Sequence, residues 1–293
     1  MKRLFQLALP VMALLAVQPA ISSTRQDDIV FEAGIEYSNA ADQHLQLNMA
    51  RPAKGEGPFP AIVFIHGGGF RAGTREGYDG LVKEAAKRGY VAVTITYRLA
   101  PKFPFPAAVH DSKAAVRWLR ANAAKYKVDK NHIGATGGSA GGTLVQMLAN
   151  TAEISSMEGD GGNAKESSAI QACVNYFGAN DFTQSYGKSV DAHEVLPLYL
   201  GGNLETARRK HIESSPLYWT SPNSAPTLVI HGTKDNYVAY EQGVWLIDRL
   251  KASMVPAELL TMEGAGHGFQ GEDAKKADAA MFAFFDKWLK GAK

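Results

Sequence analysis

Ile133-Gly134-Ala135-Thr136-Gly137-Gly138-Ser139-Ala140-Gly141-Gly142 is the stretch on which the reading of this chain turns. Its first four residues read as a short apolar strand, and Gly141 to Asn150 reads as a helix. Between them Gly137-Gly138-Ser139-Ala140-Gly141 has the pattern G-x-S-x-G. A serine held on a sharp turn from strand into helix stands clear of the backbone, and small flanking residues are needed because that turn is crowded. The helix start then faces the serine and favours negative charge developing there. A Gly-rich phosphate loop is the rival for such a stretch, but no Gly-Lys-Ser/Thr follows.

Outward from this turn the chain alternates strand and helix. Ile29 to Tyr37 and His44 to Arg51 read as an early hairpin joined by a turn over Asn39 to Gln43. Ala61 to Ile65 is a continuous apolar run, which predicts a strand buried on both faces, and Val91 to Tyr97 reads as another strand. Tyr78 to Arg88 and Pro106 to Ala124 read as helices. Ala169 to Phe177, Thr227 to His231 and Ala257 to Met262 read as strands, with helices over Tyr240 to Ala252 and Asp273 to Lys290. This order predicts an α/β fold, with a mostly parallel sheet and helices on both faces. Ligands in such sheets bind at the carboxyl ends of the strands. Two segments break the alternation: a Gly/Asp/Ser loop at Glu153 to Ser168, and Asp181 to Ser224, which reads as a small lid insertion.

Three further motifs sit just after strands. His66-Gly67-Gly68-Gly69-Phe70 follows Ala61 to Ile65, and successive glycines free backbone amides to hold an oxyanion. Gly67, Gly69 and Ala72 also satisfy a dinucleotide-binding pattern, but His precedes them and no acid ends the next strand. His66 is expected to brace the loop rather than act as a base. His231-Gly232-Thr233-Lys234-Asp235 and Gly264-Ala265-Gly266-His267-Gly268-Phe269 follow the last two strands. Ser139, Asp235 and His267 therefore stand in the chain order nucleophile, acid, base. Asp181, after the preceding strand, is the competing acid.

The 293 residues are 45% hydrophobic and 20% charged, as expected of a globular chain rather than a disordered one. Lys+Arg 31 against Asp+Glu 29 gives no field for nucleic acid. The lone Cys173 excludes an internal disulfide and reads as a buried small hydrophobe. The histidines lack metal-ligand spacing and the glycines around Asp160 lack that of a calcium loop, so no metal or cofactor is expected. At the N-terminus Lys2 and Arg3 precede the apolar run Leu4 to Val17, and Ala20-Ile21-Ser22 offers small residues for cleavage. Residues 1–22 are thus expected to be a signal peptide, 23–293 the mature domain, and the product secreted or periplasmic with no stable membrane span.

Taken together, the chain resembles an esterase of the α/β-hydrolase superfamily, near the hormone-sensitive-lipase-like carboxylesterases. The matching residues are His66 to Phe70, Tyr97-Arg98-Leu99-Ala100-Pro101 with Phe105-Pro106-Ala107-Ala108, Gly137 to Gly142, and Gly264 to Phe269. The resemblance implies that the amides of Gly68, Gly69 and Ala140 form the oxyanion hole and that Asp111 is structural. It departs at Gly138, where that group usually has Asp, and in the acid segment. Both are more similar to the bifunctional feruloyl and acetyl xylan esterase branch and to prolyl-oligopeptidase-type enzymes. The implied activity is ester hydrolysis on a small-molecule or polysaccharide-linked substrate, with an open site. A prolyl-type peptidase and a non-catalytic binding protein on the same scaffold are the alternatives. Phe70, Tyr186, Tyr199, Tyr218 and Trp219 are each expected to pack the core rather than line the pocket.

Overall fold

A computed structural model describes residues 22–26, 28–152 and 154–291. Nine strands run in chain order: β1 (Ser22–Gln26), β2 (Ile29–Ser38), β3 (Leu45–Pro52), β4 (Phe59–Ile65), β5 (Val91–Ile95), β6 (Val128–Gly138), β7 (Ala172–Tyr176), β8 (Thr227–Gly232) and β9 (Ala257–Met262). They form one sheet in the order β1-β2-β3-β5-β4-β6-β7-β8-β9. β1, β2 and β3 join by antiparallel pairing, β3 is antiparallel to β5, and every pair from β5 to β9 is parallel. The expected α/β-hydrolase architecture is what the chain adopts.

The apolar run in β4 acts as its composition requires. Ile62 and Phe64 join one core, while Ala61, Val63 and Ile65 join the other, and all five are fully buried. On the first side the helices Asp79–Lys87 and Gly271–Leu289 cover the sheet through residues such as Val82, Phe282 and Phe285. On the second side Ala107–Ala121 and Ala140–Asn150 cover it through Val116, Leu119, Leu144 and Leu148. The helix Glu241–Ala252 packs Leu246, Ile247 and Leu250 beside Val229 of β8.

Several boundaries differ from the sequence reading. β6 begins at Val128, because the strand crosses a register irregularity and pairs Val128 with Phe59 before Ile133 meets Ala61. The hairpin turn contains a short helical turn at Ala40–Asp42 with Ala41 in the left-handed region, φ 52°. The loop over residues 154–168 is anchored at Glu158. Lys113, fully buried, pairs with Glu158 at 2.7 Å, and Arg117 meets the other oxygen of the same carboxylate at 2.7 Å. Cys173 is fully buried within β7, and burial pushes its thiol pKa well up.

Candidate active site

Ser139, Asp235 and His267 follow the carboxyl ends of β6, β8 and β9 and meet there. Ser139 sits between β6 and the helix Ala140–Asn150, with φ 56° and ψ −123°, outside the usual regions for a side-chain-bearing residue. Glycines make this turn possible. A Cβ on Gly141 would lie 2.0 Å from the Ile65 carbonyl oxygen, so the elbow closes against the end of β4 only with glycine there.

His267 Nε2 lies 2.9 Å from Ser139 Oγ, and His267 Nδ1 lies 2.7 Å from Asp235 Oδ2. With Nδ1–H donating to the carboxylate, Nε2 is left as the acceptor for the serine hydroxyl. The Asp235 side chain is fully buried. Its Oδ1 accepts from the N–H groups of Tyr237 and Val238, both at 2.9 Å. Burial alone would raise the pKa of this carboxyl, but hydrogen bonds from His231, His267 and Val238 pull it down to about 2.

Asp181, the competing acid, is elsewhere employed. Its Oδ1 accepts from Thr183 N at 2.9 Å and Thr183 Oγ1 at 2.6 Å, which caps the turn Phe182–Gln184. His66 braces the glycine loop: Nδ1 is 2.8 Å from the Gly67 oxygen, and its ring stacks on Tyr97 at 4.3 Å. The Asp111 carboxylate is buried and clamps Arg98 through its backbone N–H at 2.8 Å and its guanidinium at 2.7 Å.

Gly68, at φ +109°, turns the glycine loop so tightly that a Cβ would stand 2.2 Å from the Ala72 oxygen. Among the described residues no group accepts from the N–H of Gly68 or Gly69. Ala140 opens its helix, so its N–H precedes the first intrahelical bond. These three donors border a cleft of about 510 Å³ or the smaller cavity beside it, and Ser139 lines both. The cleft also takes walls from Tyr78, Phe177, Tyr237 and His267. Phe177 meets the His267 ring edge-on at 4.8 Å, and Tyr237 lies 5.0 Å away on another side.

Residues 47–250 match the BD-FAE family. The chain belongs to that family. It is similar to Esterase LipC of Mycobacterium tuberculosis, with 34% identity over 72% of this chain and 53% of LipC. It spans about half the length of the mycobacterial relatives LipC, LipM and LipQ. Among solved structures it is similar to the thermophilic esterase Est2 of Thermogutta terrifontis, captured with propionate bound: TM-score 0.73, 28% identity, 86% of this chain and 92% of that one. A bifunctional GH43-CE protein of Bacteroides eggerthii gives TM-score 0.79 and 28% identity over 88% of this chain and 38% of that one.

Sequence reasoning missed His231, Phe177 and Tyr237. His231 is fully buried, with Nε2 3.0 Å from the Val238 oxygen and 3.3 Å from Asp235 Oδ2. It therefore steadies both ends of the loop that carries the acid. Its strand-end position beside Asp235 was the available signal. Of the five aromatics expected to pack the core, Phe70 and Tyr199 stack at 3.8 Å within it, and Phe70 also reaches the cavity beside Ser139. Tyr218 is exposed instead, 47% accessible, with its hydroxyl 3.3 Å from Asp181 Oδ2.

Proposed function

We propose that this chain is a secreted or periplasmic serine carboxylesterase working through an acyl-enzyme. The observation that carries the reading is the connected set Ser139–His267–Asp235, at 2.9 Å and 2.7 Å, beside loop amides that no group among the described residues accepts from. Ser139 Oγ attacks the ester carbonyl carbon as His267 Nε2 takes its proton. The tetrahedral oxyanion is held by the N–H groups of Gly68, Gly69 and Ala140. Collapse breaks the bond to the alcohol oxygen, which His267 protonates. Water, activated by the same nitrogen, then releases the acid and restores Ser139. The esterase names borne by LipC and the Thermogutta protein support this reading.

On the alcohol side we infer a sugar hydroxyl of a hemicellulose, bearing acetyl or feruloyl esters. The open cleft and the resemblance of Gly138 and the acid segment to the feruloyl and acetyl xylan esterase branch support it. In this reading 181–224 is a lid and 1–22 an export signal; residues 1–21 lie outside the described part of the chain. No helix among the described residues is long and apolar enough to cross a membrane.

Ser139→Ala is expected to abolish hydrolysis of p-nitrophenyl acetate and labelling by a fluorophosphonate. Undiminished activity in that variant refutes the mechanism. Parallel assay of a prolyl amide separates an esterase from a prolyl-type peptidase. An exported protein whose N-terminal sequence begins near Ser23 is the expected product of cleavage, and Met1 retained there refutes it.

A further inference from the structure

Resting on the ester-hydrolase reading, we propose that Asp191 and Val195 close the acyl side of the site and limit its acyl group to acetyl. Two spaces meet at Ser139. The open cleft contains His267, and the departing alcohol must lie there because His267 protonates it. The other is a cavity lined by Ser139, Gly69 and Ala140 without His267, which leaves it to the acyl group. Its volume is only about 10 Å³, enough for one group the size of a water or a methyl.

The far wall comes from the lid segment. Asp191 is 5% exposed, and its Oδ1 is buried with no hydrogen-bond partner. Val195, 1% exposed, packs so closely on the glycine loop that a Cβ on Gly69 would stand 2.9 Å from Val195 Cγ2. The wall is fixed by its roots in the loop of the acid. Val190 N and Asp191 N donate to the carbonyls of Asn236 and Tyr237, each at 3.2 Å, and Ala239 N donates to Ser189 Oγ at 2.9 Å. Burial pushes the Asp191 carboxyl up to about 7, the N–H of Ala192 opposes this, and the nearby Asp235 charge adds to the rise. A longer acyl chain meets two obstacles: no volume, and a wall whose Asp191 is a polar side chain that methylenes cannot satisfy. Of the two ester types considered for hemicellulose, this favours acetyl and excludes feruloyl on the acyl side.

The test is kcat/KM for p-nitrophenyl acetate, propionate and butyrate. Wild type is expected to favour acetate over butyrate by at least about tenfold. Asp191→Ala is expected to raise the butyrate-to-acetate ratio by about tenfold, since one methylene of space changes discrimination by that order. Val195→Ala, lining the same cavity, is expected to move it in the same direction and carries the test if the first variant does not fold. Asp191→Asn keeps the size and is expected to keep the preference. A flat profile in wild type, an unmoved ratio in the alanine variants, or an equal rise in the asparagine variant overturns the assignment while leaving ester hydrolysis standing. Wild type hydrolysing none of the three esters overturns the esterase reading itself.

Discussion

At the scale of single residues, Asp235 shows how partners outweigh burial. A carboxyl out of water favours its neutral form, yet His231, His267 and two backbone N–H groups hold this one ionised with a pKa of about 2. Its ordinary value is 3.8, so the folded pKa is depressed. The stability it contributes is fully present above pH 3.8 and is lost as pH falls toward about 2. Urea midpoints across that window are expected to fall for wild type more steeply than for Asp235→Asn; parallel curves would contradict the assignment. The same substitution removes the acceptor that fixes the His267 tautomer. Its kcat on p-nitrophenyl acetate is expected to drop about 10⁴-fold, by analogy with other triads.

At the scale of elements, the start of the segment 181–224 depends on one buried amide. Gln242, fully buried in the helix Glu241–Ala252, accepts from Asn180 N at 2.8 Å and Asp181 N at 2.7 Å. Its Nε2 donates to the Asp181 oxygen at 2.9 Å and to Ser185 Oγ at 3.2 Å. Gln242→Leu keeps the bulk and strands those groups, so a loss of roughly 3 kcal/mol is expected in chemical denaturation. A loss under about 0.5 kcal/mol would mean that water replaces the amide. This element also marks where sequence reading runs out. β4 was legible because residues buried on both faces leave an unbroken apolar run over Ala61 to Ile65, and β5 because β-branched residues dominate it. Ser139 and His267 were legible because glycines and strand ends announce them. The pieces Asp191–Glu194 and Leu196–Leu200 carry no periodic signal, being little more than one turn each. Gln242 and Asp191 owe their roles to partners far along the chain, and no local pattern encodes those.

At the scale of the whole molecule, stability and chemistry occupy different ends of the same sheet. The site lies on the carboxyl edge, built from loops after β4, β6, β7, β8 and β9. The helix Gly271–Leu289 starts close after His267 and runs down one face, so that its second half packs away from the site. Phe285 there is fully buried, and its ring lies so near β6 that a Cβ on Gly134 would stand 2.6 Å from it. The helix is held further by Tyr90, whose hydroxyl donates to Asp286 at 2.7 Å. Gly134 and Phe285 thus fit as a pair: the strand gives up a side chain so that the ring can fill the layer. Phe285→Ala leaves a cavity that neither the glycine nor the rigid sheet can fill, at a cost of about 3–5 kcal/mol. For a domain of this size that corresponds to a melting temperature lower by roughly 10 °C. Because Phe285 touches no group of the Ser139–His267–Asp235 set, the protein that remains folded at low temperature should react with a fluorophosphonate at the wild-type rate. A slowed reaction in folded Phe285→Ala would mean that the strand end carrying Ser139 is positioned by this core layer and not by the elbow alone.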